Sequence, residues 1–117
     1  MIEKIVLDYL AAQLDVPVLM QEPESNPNPG TGQFVVIEKT GSGRRNWICD
    51  ATVAIQSYAP TLYEAAVLNE QVKQAMDGIL VLPQISKVSL NSDYNFTNEE
   101  MKQPRYQAVF DLVHYMD

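Results

Sequence analysis

Two residue types in this sequence do nucleophilic or proton-transfer chemistry near neutral pH, and each occurs once: Cys49 and His114. A thiolate attacks carbonyls and disulfides, and an imidazole accepts or donates protons. Neither is placed for that task. In extended registers His114 alternates with Tyr106, Phe110 and Leu112, and Cys49 alternates with Trp47 and Ala51. Both therefore fall on faces expected to pack rather than react. A general base needs an orienting partner, and the sequence marks none for His114. One Cys and one His are too few for a common structural zinc site. The paired carboxylates Glu99–Glu100 stand in a polar run, with no apolar pocket to turn one of them into a general acid. The stretches "GTG" (30–32) and "GSG" (41–43) match neither the P-loop nor the dinucleotide fingerprint, and Gly-x-Ser-x-Gly is absent. The expectation is a chain that is not an enzyme, with no catalytic, cofactor-binding or metal residues.

What the sequence does offer is contact chemistry. Lys39, Arg44 and Arg45 follow one another with no acid between them, in a chain of net charge −7. They read either as solvated turn residues or as a basic contact for an acidic surface, for instance that of an identical copy. Tyr94 and Phe96 stand in the polar run "NSDYNFTNEE" (91–100). Aromatic residues there either fold back over an end of the core or anchor a partner. These five residues are the expected subunit or partner interface.

The elements that must position them follow from periodicity. Ile2, Ile5, Val6, Tyr9, Leu10 and Leu14 recur at helical spacing, which predicts a helix over Ile2–Leu14, stopped by Pro17. A short strand over Val18–Gln21 leads into "EPESNPNPGTG" (22–32), a loop rich in Pro and Gly and expected to be mobile in an isolated subunit. A strand over Gln33–Thr40, a turn at Gly41–Gly43 and a second strand over Arg44–Tyr58 read as a hairpin, with Trp47, Cys49, Ala51, Val53 and Ile55 toward the core. Thr61 and Glu64 form a capping box for a second helix. Gly78 is expected to end it in the left-handed conformation. A strand over Gln84–Asp93, bulged near Ser86–Lys87, and a closing strand over Lys102–Tyr115 complete the chain, with Pro104 at the strand start. The fold class expected is α+β: an antiparallel sheet of about five strands with two helices packed on one face.

At 117 residues this reads as a single domain, 1–117, with a core that needs no staple. The negative balance argues against sequence-specific nucleic-acid binding. The lone cysteine points away from an oxidising compartment, and no run of about 18 apolar residues marks a membrane span. The start, "MIEKIVLDYL", carries acids within its apolar pattern and does not read as a signal peptide.

The closing pattern "DYNFTNEEMKQPRYQAVFDLVHY" (93–115) resembles the C-terminal part of the minor capsid or tail-terminator (tail-completion) proteins of long-tailed bacteriophages. "CDATVAIQSYAPTLYEAAVLNEQV" (49–72) is similar to the same family in placing a long strand before a capped helix. The resemblance implies a structural phage or prophage protein without catalytic residues or cofactors. It implies a homo-oligomeric ring, usually a hexamer, that caps the tail tube and joins it to the head. Its partners would be identical copies, the major tail tube protein and the head–tail connector proteins. Its location would be the head–tail junction of the virion, and the host cytoplasm before assembly. A head–tail connector or stopper component is the nearest alternative reading. A small ligand-binding or enzymatic domain is the alternative from another class.

Overall fold

The computed structural model describes residues 1–98, 100 and 103–115. Its elements are α1 (Ile2–Gln13), β1 (Val18–Leu19), β2 (Phe34–Arg45), β3 (Ile48–Tyr58), α2 (Leu62–Asp77), a 3-10 turn (Ile79–Val81), β4 (Ile85–Asn95) and β5 (Arg105–Tyr115). Among the described residues the strands form one sheet in the order β1-β2-β3-β5-β4. This is the expected α+β fold with both helices on one face. The sheet is mixed rather than wholly antiparallel, because β1 pairs with β2 in parallel. The long loop between them carries the chain back to start β2 beside β1, which a tight turn cannot do.

The core lies between the helices and one face of the sheet. Ile2, Val6 and Leu10 of α1 and Leu68, Val72 and Met76 of α2 bury against Val35, Ile37, Val53, Ile55, Phe110 and Leu112. The sequence periodicities (three and four in the helices, two in the strands) are those that place one apolar stripe or face inward. The α2 start forms as its capping box dictates: the Thr61 hydroxyl accepts from the Glu64 N–H at 3.1 Å.

Several boundaries differ from expectation for identifiable reasons. The glycines at 41 and 43 do not form the hairpin turn. They lie within β2, just past a bulge that leaves Thr40 without a cross-strand partner. The turn is Asn46–Trp47, with Asn46 at φ 59°. Asn tolerates this left-handed conformation better than other non-glycine residues do. Trp47 is consequently in the turn and 72% exposed, not on the core face. Arg44 and Arg45 end β2 rather than begin β3. At the end of α2, Gly78 has φ −90° and is not left-handed. Its glycine identity answers a close approach: a Cβ there would stand 2.9 Å from the Tyr9 hydroxyl, which donates to the Ala75 carbonyl at 2.7 Å. Strand β4 runs on to Asn95, so Tyr94 belongs to a strand and not to a loop. The bulge at Ser86 is present, and a second one falls at Asn91. The closing strand begins at Arg105, after Pro104, and Lys102 lies outside the described residues.

The Pro-rich segment is tied by polar groups and by a close approach to Pro60. The Asn28 side-chain amide donates to the Thr31 hydroxyl at 2.7 Å and to the Gln33 carbonyl at 3.0 Å. Gly32, at φ +72°, packs so close to Pro60 that a Cβ would meet the ring at 2.8 Å. The molecule measures 43 × 26 × 24 Å.

Candidate functional site

Strand register sorts the expected site residues into three places. Lys39 pairs with Val53 and points to the helix side, where its ammonium stands 3.7 Å from the Glu3 carboxylate. Arg44 is opposite Cys49 and also lies on the helix side. Arg45 is opposite Ile48, on the helix-free side. Tyr94 and Phe96 are at the far end of the sheet, next to Arg105. The structure therefore does not gather the five into one patch.

The two chemically reactive residues do meet. Cys49 and His114 are direct cross-strand partners and line a groove of about 420 Å³ with Glu3, Lys39, Arg44 and Asp50. His114 is buried, and its Nδ1 lies 3.2 Å from the carbonyl of Tyr115. That contact orients the ring through the backbone carbonyl of its own neighbour. Of the paired carboxylates, Glu99 lies outside the described residues and Glu100 is in an exposed turn.

The helix-free face holds an arrangement that no single motif announces. Gln56 of β3 and Gln107 of β5 are each only 7% exposed, though no helix covers them. They belong to a directional relay. The Arg105 guanidinium can only donate, and it gives a hydrogen bond to the Tyr58 hydroxyl at 2.8 Å. That hydroxyl then donates to the Gln56 side-chain oxygen at 3.3 Å, and the Gln56 amide nitrogen donates to the Gln107 oxygen at 2.9 Å. Finally the Gln107 nitrogen donates to the Tyr94 hydroxyl at 2.6 Å. Starting from a cation with no acceptor, the orientation of both amides follows.

Aromatic packing braces the relay at the same end. Phe34 stacks on Tyr58 with centroids 4.5 Å apart. The Arg105 guanidinium lies 4.5 Å from the Phe96 ring centroid, and Arg105 Nε donates to the Phe96 carbonyl at 2.8 Å. Phe96 in turn meets Tyr94 edge to face. Burial pushes the Tyr58 hydroxyl's pKa up, the Arg105 bond and charge oppose this, and Glu22 and Glu38 add a smaller upward push. Tyr94 and Phe96 thus both fold onto the sheet, the first of the two alternatives the sequence left open, and keep part of their rings in solvent.

The relay was missed because its members sit on three segments, and only register brings them together. The available signal was Gln56, Tyr58, Arg105 and Gln107, four long polar-tipped residues at alternate positions on the non-core faces of two strands.

Besides residues such as Met1, Leu80, Val81 and Leu90, exposed apolar groups form two sets at opposite ends of the β2–β3 pair. At the hairpin tip, Trp47 is accompanied by Ile48 and Tyr115, which are cross-strand partners and both half exposed. At the far end, Leu62 and Tyr63 open α2, with Tyr63 78% exposed. There Leu62, Asn95, Thr97 and Pro104 line a hollow of about 350 Å³. Among the described residues no helix is long and apolar enough to cross a membrane. No family model matches the chain, and no curated protein matches it.

Proposed function

We propose that this chain is a structural component of a long-tailed bacteriophage or prophage, a tail terminator that forms a homo-oligomeric ring on the tail tube and joins it to the head. The observation that carries the reading is the placement of exposed apolar side chains at both ends of an elongated subunit, Trp47 and Ile48 at one and Leu62 and Tyr63 at the other. Two different sticky ends on one subunit produce heterologous contacts, and these close into rings when the rotation permits. The resemblance of residues 49–72 and 93–115 to tail-completion proteins points the same way and supplies the tube and the head connector as partners. The helices complete the core on one face, leaving the tip, the far end and the helix-free face for neighbours.

The test is size-exclusion chromatography with light scattering, followed by electron microscopy, on the protein alone and with purified tail tube protein. The expected result is a closed ring of several copies, alone or seated on tube ends. A monomer under every condition, with tubes left uncapped, overturns the proposal. Capture by portal or adaptor protein in place of the tube assigns the chain to the connector instead.

A further inference from the structure

The reading of a self-assembling ring leaves open which surfaces meet. The tip and the far end differ in charge as well as position. The tip places Arg45 beside Trp47 and Ile48, while Arg44 shares a groove with Asp50 and Glu3. The far end gathers acids: Glu22 and Glu24 border a hollow with Phe34, Glu64 is tied to Gln33, and Glu100 lies in the adjoining turn. The cation there, Arg105, is committed to Tyr58 and Phe96. Exposed apolar surface meets complementary charge at opposite ends of one molecule.

From this we infer that the hairpin tip of one copy docks on the far end of the next, with Trp47 seated in the hollow lined by Leu62, Asn95, Thr97 and Pro104. The occupant is a second copy of this chain, because the same chain carries both halves of the match. An indole suits this hollow: Leu62 and Pro104 offer apolar walls, and Asn95 and Thr97, bonded to each other and to the Arg105 backbone, form a fixed polar rim. Arg45, on the helix-free side of the tip, then faces the acidic end of its neighbour. Trp and Arg are the residue types that most often dominate binding energy at interfaces. The contact is heterologous, so each copy uses its tip once and its hollow once.

This inference rests on the proposed ring, and the experiment separates the two. Trp47 is the chain's single tryptophan, so its emission reports on this contact alone. As wild-type protein assembles on raising concentration, the emission should move to shorter wavelength. Trp47→Ala disables the tip and Leu62→Glu disables the hollow. Each should weaken assembly about thirtyfold. Both sites are exposed enough to spare the fold, and an acid at the start of α2 suits the helix N-terminus. If Leu62→Glu loses its cooperative melt, Tyr63→Glu, at the exposed neighbouring position of α2, replaces it. Mixing the two variants should give a 1:1 dimer and nothing larger, because one intact tip meets one intact hollow. Assembly by both variants as by wild type, with solvent-like emission throughout, overturns this contact and leaves the ring standing. Two inactive variants that fail to complement overturn the head-to-tail arrangement. A wild-type protein that is monomeric with and without tail tubes overturns contact and ring together.

Discussion

On one face of the sheet Val53, Ile55, Phe110 and Leu112 are buried beneath two helices; on the other, Gln56 and Gln107 are buried nearly as deeply with no helix above them. The first face is held by area removed from water, which has no directional requirement but sets register firmly, because a one-residue slip would turn its apolar side chains to solvent. The second combines a small apolar cluster, Phe34, Val36 and Tyr58 with Leu19 packed on it, with hydrogen bonds whose donors and acceptors must alternate in one order, from Arg105 to Tyr94. A slip of one residue between β3 and β5 would break the two links that cross between them, Arg105–Tyr58 and Gln56–Gln107. The difference teaches a division of labour. The covered face supplies most of the apolar burial, and the helix-free face adds directional bonds among β3, β5 and β4 at the far end, where the hollow and the exposed aromatics lie.

The comparison is tested most severely on the covered side. Phe110 is 1% exposed at the centre of the core, and Phe110→Ala should destabilise by about 3–5 kcal/mol in urea unfolding. A cost below about 1 kcal/mol would mean that the helices do not seal that face.

The open face should respond differently. Gln107→Leu strands the Gln56 amide and removes the donor to Tyr94, so its cost should be about 1–3 kcal/mol. Pairing it with Gln56→Leu removes both partners of the central bond. The double variant should therefore be more stable than the sum of the singles predicts, by at least about 0.5 kcal/mol. Strict additivity would reduce the relay to unconnected surface contacts.

The same contrast explains what was readable in the sequence. Burial of the covered face follows from spacing alone: the stripe through Leu68, Val72 and Met76 and the alternation through Val53 and Ile55 need no knowledge of partners. The Thr61–Glu64 cap is equally local. The relay is not local, since Gln56 and Gln107 are 51 positions apart and only the β3–β5 register joins them. The hairpin was displaced because glycine and asparagine both favour left-handed backbone, and local sequence cannot rank "GSG" against "RNWI" when a bulge absorbs the glycines. That displacement moved Trp47 from the expected core to the exposed tip, so the most prominent side chain of the proposed interface was hidden by an error of a few residues. The basic trio was divided for a related reason. Residues 39 and 44 share a side only because of the bulge at Thr40, and residue 45 takes the other.

The smallest expected effect concerns the head of the relay. Tyr58→Phe removes one acceptor for Arg105, whose Nε keeps the Phe96 carbonyl, and one donor to Gln56; at neutral pH the cost should be about 1 kcal/mol. The informative part is its pH dependence. Burial raises the Tyr58 pKa above the value of 10.0 that it takes in the unfolded chain, so the folded state holds this proton more tightly. Stability from that difference is fully present below pH 10.0 and is lost as pH rises from there through the folded pKa. Tyr9, also raised by burial, contributes in the same direction and keeps doing so in the variant. The melting temperature of the wild type should therefore fall with alkaline pH more steeply than that of Tyr58→Phe, while the two curves run parallel in the neutral range. Parallel curves throughout would mean that Tyr58 ionises as freely folded as unfolded, and that the open face is not sealed at the point where the relay begins.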